Sequence, residues 1–222
     1  MDISKFYEFF QPEQCKDMIH IIGCGAVGST IAELLVRMGL TKFTLYDFDY
    51  VMPHNIANQM FRSVDITKSK TDALEEIMKE INPDVKVTKI EKYDGQKLSG
   101  YVFMAVDKIS IRRQIVEDNM MNPFIKAVFD TRISLVDAQG YAARWDKHSE
   151  KMNLLNSMNF TDEEAEANTP VSACNMALSI APTVRLICNY IVADFMNLVQ
   201  RRDNFKNILL LQNVFDMTFE SF

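Results

Sequence analysis

The stretch His20-Ile21-Ile22-Gly23-Cys24-Gly25-Ala26-Val27-Gly28-Ser29 decides how this chain is read. It passes from an apolar run through a glycine turn into residues with a helical period. The glycines stand at G-x-G-x-x-G spacing. Gly23 allows the tight turn, Gly25 lets a phosphate approach the backbone, and Gly28 lets the helix pack close to the strand. The start of such a helix offers N–H groups without intrahelical partners, and the positive end of its dipole, to an anion. Gly23, Gly25, Ala26 and Gly28 are therefore the candidate phosphate contacts. The same turn also occurs as a plain strand–helix connection. The surroundings favour nucleotide binding: an apolar strand before it, an amphipathic helix after it, and an acid closing the next strand.

Outward from that turn the pattern alternates. Met18 to Ile22 reads as a strand, and Ser29 to Met38 as a helix with Ile31, Leu34, Leu35 and Met38 on one face and Gly39 as its stop. Lys42 to Tyr46 is a second strand, ending in Asp47-Phe48-Asp49, and Tyr50 to Thr67 an irregular polar connection. Lys70 to Ile81 is helical and halts at Asn82-Pro83. Val85 to Ile90 and Tyr101 to Val106 are strands, the latter ending in Asp107. Ser110 to Met120 is a helix, and Phe124 to Phe129 a strand ending in Asp130. This order predicts an α/β fold with a doubly wound, mostly parallel Rossmann-like sheet. The glycine turn, Asp47, Asp49 and Asp107 then share the carboxyl edge, where open α/β sheets bind ligands.

After Asp130 the pattern changes. Ala138 to Trp145 reads as an added strand, antiparallel to the rest. Residues 146–170 form a polar crossover with no clear period, a long loop or a weak helix. Pro170 to Val199 is helix-rich with a break near Pro182, and two closing strands follow, Ile208 to Leu211 and Val214 to Phe219. With 222 residues, 48% of them hydrophobic, one domain spanning 1–222 is expected, its residues 1–17 an aromatic N-terminal arm. A net charge of −6 without a basic block argues against nucleic-acid binding. No signal peptide is read at the N-terminus, and the longest uncharged stretch, 167–184, is too polar to span a bilayer. Cys15, Cys24, Cys174 and Cys188 are scattered without a C-x-x-C pair, so no structural zinc is expected, and a reduced, cytoplasmic protein is.

Asp47 lies 19 residues after Gly28, where an acid accepts hydrogen bonds from ribose hydroxyls. That suits NAD as well as ATP, and an NAD-dependent oxidoreductase stays open on these residues alone. The residues that follow separate the readings. Asp47-Phe48-Asp49-Tyr50-Val51 leads into Asn55-Ile56-Ala57-Asn58-Gln59-Met60-Phe61, then Asp65-Ile66 and Lys70; later come Asp107 and Arg112. These segments resemble the ThiF/MoeB family of adenylating enzymes, which activate ubiquitin-like and sulfur-carrier proteins. Its pattern runs G-x-G-x-x-G-S, D-x-D-x-V, N-L-x-R-Q-x-x-[FH], D-I-G-x-x-K and D-N-x-x-x-R. Cys174 with Ala181-Pro182 is similar to its C-x-x-x-G-V-L-G-P segment, without the glycines. The resemblance covers roughly residues 18 to 200 and is strongest before Asp130.

The resemblance implies an ATP-dependent adenylyltransferase that activates the C-terminal carboxylate of a ubiquitin-like or sulfur-carrier protein or peptide, as a homodimer or heterodimer. Asp47 would hold the ribose, Lys70 the phosphates, and Asp107 the Mg2+. Asp49, Asn55, Asn58 and Gln59 would line the nucleotide. Departures stand out. The family's motif arginine is Asn58 here, residues 1–36 contain no arginine to reach a partner's site, and Lys108 follows Asp107 in place of asparagine. Arg62, Arg112 and Arg132 are candidate substitutes, Arg62 being nearest in sequence. The alternative is a nucleotide-binding relative without full catalytic power. Cys174 reads as a structural cysteine or as the site of a thioester or persulfide, where a helix start would lower its pKa.

Overall fold

The computed structural model describes residues 1–173, 177–215 and 218–221, the last four by their backbone course. Cys174 lies outside the described residues. Eight strands form one sheet, in the order β3-β2-β1-β4-β5-β6-β7-β8. The central strand, β1 (Ile19–Ile22), is buried along its whole length. It runs parallel to β2 (Lys42–Tyr46) on one side and β4 (Gly100–Met104) on the other. β3 (Lys86–Ile90) and β5 (Ile125–Ile133) extend the parallel part outward. Chain order reverses between β1 and β4, which puts a crevice over the carboxyl end of β1. β6 (Ala138–Arg144), β7 (Ile208–Gln212) and β8 (Thr218–Ser221) then add antiparallel. The expected sheet, parallel first and antiparallel in the C-terminal half, is the one observed.

Helices cover both faces. α1 (Ala26–Arg37), α2 (Lys70–Ile81) and α6 (Ala181–Val199) pack on one, where Ile31, Leu35, Leu74, Ile187 and Phe195 join a single apolar core. Within it Phe103 and Phe129 stack at 4.8 Å between ring centres. α3 (Ile109–Asp118) and α4 (His148–Asn156) cover the other face around Ile115, Trp145 and Leu154.

Three elements sharpen or correct the expectation, each for a physical reason. β5 does not stop at Asp130 but runs to Ile133. The carboxylate is fully buried and meets Arg112 and Arg132, so its charge is offset and the strand continues into its pairing with β6. The 146–170 segment contains α4 and the short α5 (Asp162–Ala167). Thr161 caps α5 by accepting the Glu164 N–H, while the Glu164 carboxylate accepts the Thr161 N–H. Pro182 does not break a helix. It occupies the first turn of α6, where its missing N–H costs nothing. The arm folds back on the domain: Phe10 is fully buried, and the Phe9 carbonyl accepts from Gln200 and Arg202.

Candidate nucleotide site

The glycine turn is built by close approach. Gly23 has φ +96°, and a Cβ there would lie 2.5 Å from the Ala105 carbonyl oxygen, just past β4. A Cβ on Gly28 would lie 1.8 Å from the Gly23 oxygen. Gly25 is different: a Cβ would meet nothing within 4 Å. It precedes α1 without any side-chain cap. The first-turn N–H groups of Ala26, Val27 and Gly28 are thus left without capping side chains beside an open space.

Asp47 follows β2 and fastens that turn. Its Oδ2 accepts the Cys24 N–H at 2.7 Å and its Oδ1 the Asp49 N–H at 2.9 Å. Burial pushes its carboxyl above the usual value, partly offset by Lys70. The Lys70 ammonium is nearly buried and donates to Asp49 Oδ2 at 2.7 Å, while its backbone N–H donates to the Asp49 carbonyl at 2.9 Å. Lys70 also acts electrostatically on Cys24, within the glycine turn. Burial drives the Cys24 thiol far above its ordinary range, so it is an inert filler. Asp107 is exposed, two residues past the Ala105 carbonyl on which Gly23 rests.

The loop after β2 closes over α1. Asn55 is buried, and its Oδ1 accepts the Met52 N–H at 2.9 Å, shaping a short 3-10 turn, Pro53–Ala57. Ser29 Oγ accepts the Met60 N–H at 3.2 Å. Asn58 Nδ2 donates to Ser179 Oγ, tying this loop to the approach to α6. Gln59 Oε1 is buried without a hydrogen-bond partner among the described residues. An orphaned acceptor, an open Gly25 and an uncapped helix start fit a polar ligand with donors and an anionic group, as a nucleotide has. Among the described residues no three His, Cys, Asp or Glu side chains gather to hold a metal. Mg2+ in nucleotide sites needs only one or two carboxylates beside the phosphates, which Asp107 would provide.

The three candidate substitute arginines are engaged elsewhere. Arg62 pairs with Asp65 and Glu80, and its hydrogen bonds hold the Asp65 carboxyl down at about 2. Arg112 and Arg132 share Asp130, and Arg132 also donates to Ser157 and lies 4.6 Å over the Tyr141 ring. Ser179 carried no local signal in the sequence; its link to Asn58 spans 121 positions. A depression of about 650 Å³ beside α2, lined by Tyr50, Lys68, Asp72, Glu75 and Lys89, lies apart from the glycine turn, with its charges paired among themselves.

Comparison with known proteins gives the class. The model of the ThiF family matches residues 7–222, and the chain belongs to that family. Among curated proteins it is similar to ubiquitin-like modifier-activating enzyme 5. The Arabidopsis thaliana protein is 43% identical over 67 residues, 30% of this chain and 16% of that one. The Xenopus laevis protein is 34% identical over 92 residues, 41% of this chain and 23% of that one. The match thus spans a quarter or less of either relative's length. Among solved structures, PaaA superposes with a TM-score of 0.73 at 16% identity, over 95% of this chain and 65% of that one. E. coli MccB with ATP gives 0.70 at 15% identity, over 95% and 65%. E. coli MccB with MccA gives 0.72 at 16%, again over 95% and 65%. These likenesses establish the fold.

Proposed function

We propose that this protein uses ATP to adenylate the C-terminal carboxylate of a ubiquitin-like or sulfur-carrier protein or a peptide. The observation that carries the reading is the uncapped first turn of α1, at the reversal point of the sheet, flanked by Lys70 and Asp107. The family, and the ATP and peptide named in the MccB structures, support it. In the reaction a carboxylate oxygen bonds to the α-phosphorus, and the bond from that phosphorus to the bridging oxygen breaks, releasing pyrophosphate. Both reactants are anions, so the site must lower their repulsion. The N–H groups of Ala26, Val27 and Gly28 hold phosphate oxygens. Lys70 turns from Asp49 to the phosphates, Asp47 orients the ribose while keeping the turn in shape, and Gln59 and Asn55 set the wall of the site. Mg2+, held by Asp107, would neutralise the phosphate charge. The enzyme would act in the cytoplasm as a homodimer or heterodimer.

A second reading has its own support. Asn58 is uncharged and engaged with Ser179, and Arg62 is occupied. A nucleotide-binding relative that assists a partner would look like this. Exchange of labelled pyrophosphate into ATP, with candidate carrier proteins present, separates the two. We expect exchange, abolished in Lys70→Ala. ATP-dependent thermal stabilisation without exchange would favour the second reading, and stabilisation by NAD but not ATP–Mg2+ would remove both.

A further inference from the structure

A triphosphate on α1 would bring several negative charges to a helix start whose nearby lysine rests against Asp49, so further cations near α1 bear on the site. Among the described residues, the arginines without a carboxylate partner are Arg113, Arg185, Arg201 and Arg202. Arg113 donates to the Met158 carbonyl beside α4, and Arg201 and Arg202 lie beyond the far end of α6. Arg185 alone lies against α1.

Topology puts it there. α6 starts at the carboxyl edge of the sheet, where Thr183 Oγ1 donates to the Leu135 carbonyl, just past β5, at 2.9 Å. One turn in, half-buried Arg185 donates from Nη1 to Thr30 Oγ1. The Thr30 hydroxyl in turn donates to the Ala26 carbonyl at 2.8 Å. The guanidinium therefore stands two hydrogen bonds from the first residue of α1. Beside it, Cys188 Sγ donates to the Val27 carbonyl at 3.7 Å, holding the two helices together.

This is a costly resting position for a cation. A guanidinium carries five N–H donors, and among the described residues its hydrogen-bond acceptor is one neutral hydroxyl. An anion laid on the first turn of α1 would offer this guanidinium charged acceptors in place of the single hydroxyl. We infer that Arg185 is a phosphate-binding residue: it swings from Thr30 to the phosphates of the nucleotide and supplies the guanidinium that position 58 lacks. The inference rests on the nucleotide-binding reading above.

Calorimetric titration of ATP–Mg2+ and of adenosine into the wild type, Arg185→Gln and Arg185→Lys tests it. We expect Arg185→Gln to weaken ATP by about tenfold or more and leave adenosine unchanged. Arg185→Lys should recover part of the loss, and added guanidinium ion should partly rescue Arg185→Ala. If the wild type binds ATP and Arg185→Gln binds it equally well, Arg185 is not a phosphate ligand, and the nucleotide reading survives. Equal weakening of ATP and adenosine would mean a structural role and overturn the inference. A wild type that binds no ATP would remove the proposed function itself.

Discussion

At the scale of single residues, three glycines of one motif do different work. Gly28 is fixed by sterics: an added methyl would lie 1.8 Å from backbone oxygen, and backbone cannot yield cheaply. Gly28→Ala should cost about 2–4 kcal/mol in urea denaturation or prevent folding. Gly25→Ala meets open space, so its stability should stay within about 1 kcal/mol of wild type while ATP affinity falls in titration. The difference between the two variants separates a glycine kept for the fold from one kept for a ligand. These positions were legible because the turn is local, six residues of strand-to-helix grammar. The engagement of Arg62 was not. Proximity to Asn58 made it a natural substitute, but Asp65, three positions on, and Glu80, eighteen on, hold it. The Arg185–Thr30 contact spans 155 positions, and no local pattern announces it.

At the scale of elements, α2 was readable to the residue. Ser69 caps it, accepting the Asp72 N–H at 3.1 Å, and Asn82-Pro83 ends it. Because Lys70 is its first residue, the cap also fixes where the ammonium sits. Ser69→Ala should cost about 1 kcal/mol of unfolding free energy, and we expect a parallel loss of ATP affinity in titration from the frayed first turn. β5 was misread because a charge normally ends an apolar strand. Arg112 reaches Asp130 from α3, a contact that only the folded sheet creates. α5 carried a signal in Thr161 and Glu164, three apart, but its acidic run reads equally well as a solvated face.

At the scale of the whole molecule, the segment leading into the antiparallel strand β7 is tied to α6 partly through Asp194. This α6 carboxylate is buried, accepts the Lys206 N–H at 2.8 Å through Oδ1, and leaves Oδ2 without a partner among the described residues. Burial pushes its pKa up to about 7. The native state then holds this proton more tightly than the unfolded chain does. Its contribution is fully present below about pH 4 and is lost as pH rises through about 7. Asp194→Asn keeps an oxygen for Lys206 and carries no charge. Between pH 5 and 8 it should gain about 1–3 kcal/mol relative to wild type in chemical denaturation. A constant difference across that range would mean that Asp194 does not titrate there. Overall architecture was legible from the order of periods, strand–helix–strand repeated, because each period reports which face of an element is buried. The antiparallel closure was legible only in outline, since its partners lie far apart in the chain.

The packing of α6 along α1 has a consequence in time as well as space. A ribosome finishes β1 to β5 long before it makes residues 181–199, so α1 emerges with its apolar flank uncovered. Only when the late helix docks do Ser179 and Arg185 reach Asn58 and Thr30. A nascent chain therefore lacks both of these links until residues 179–199 have been made and the late helix has settled on α1.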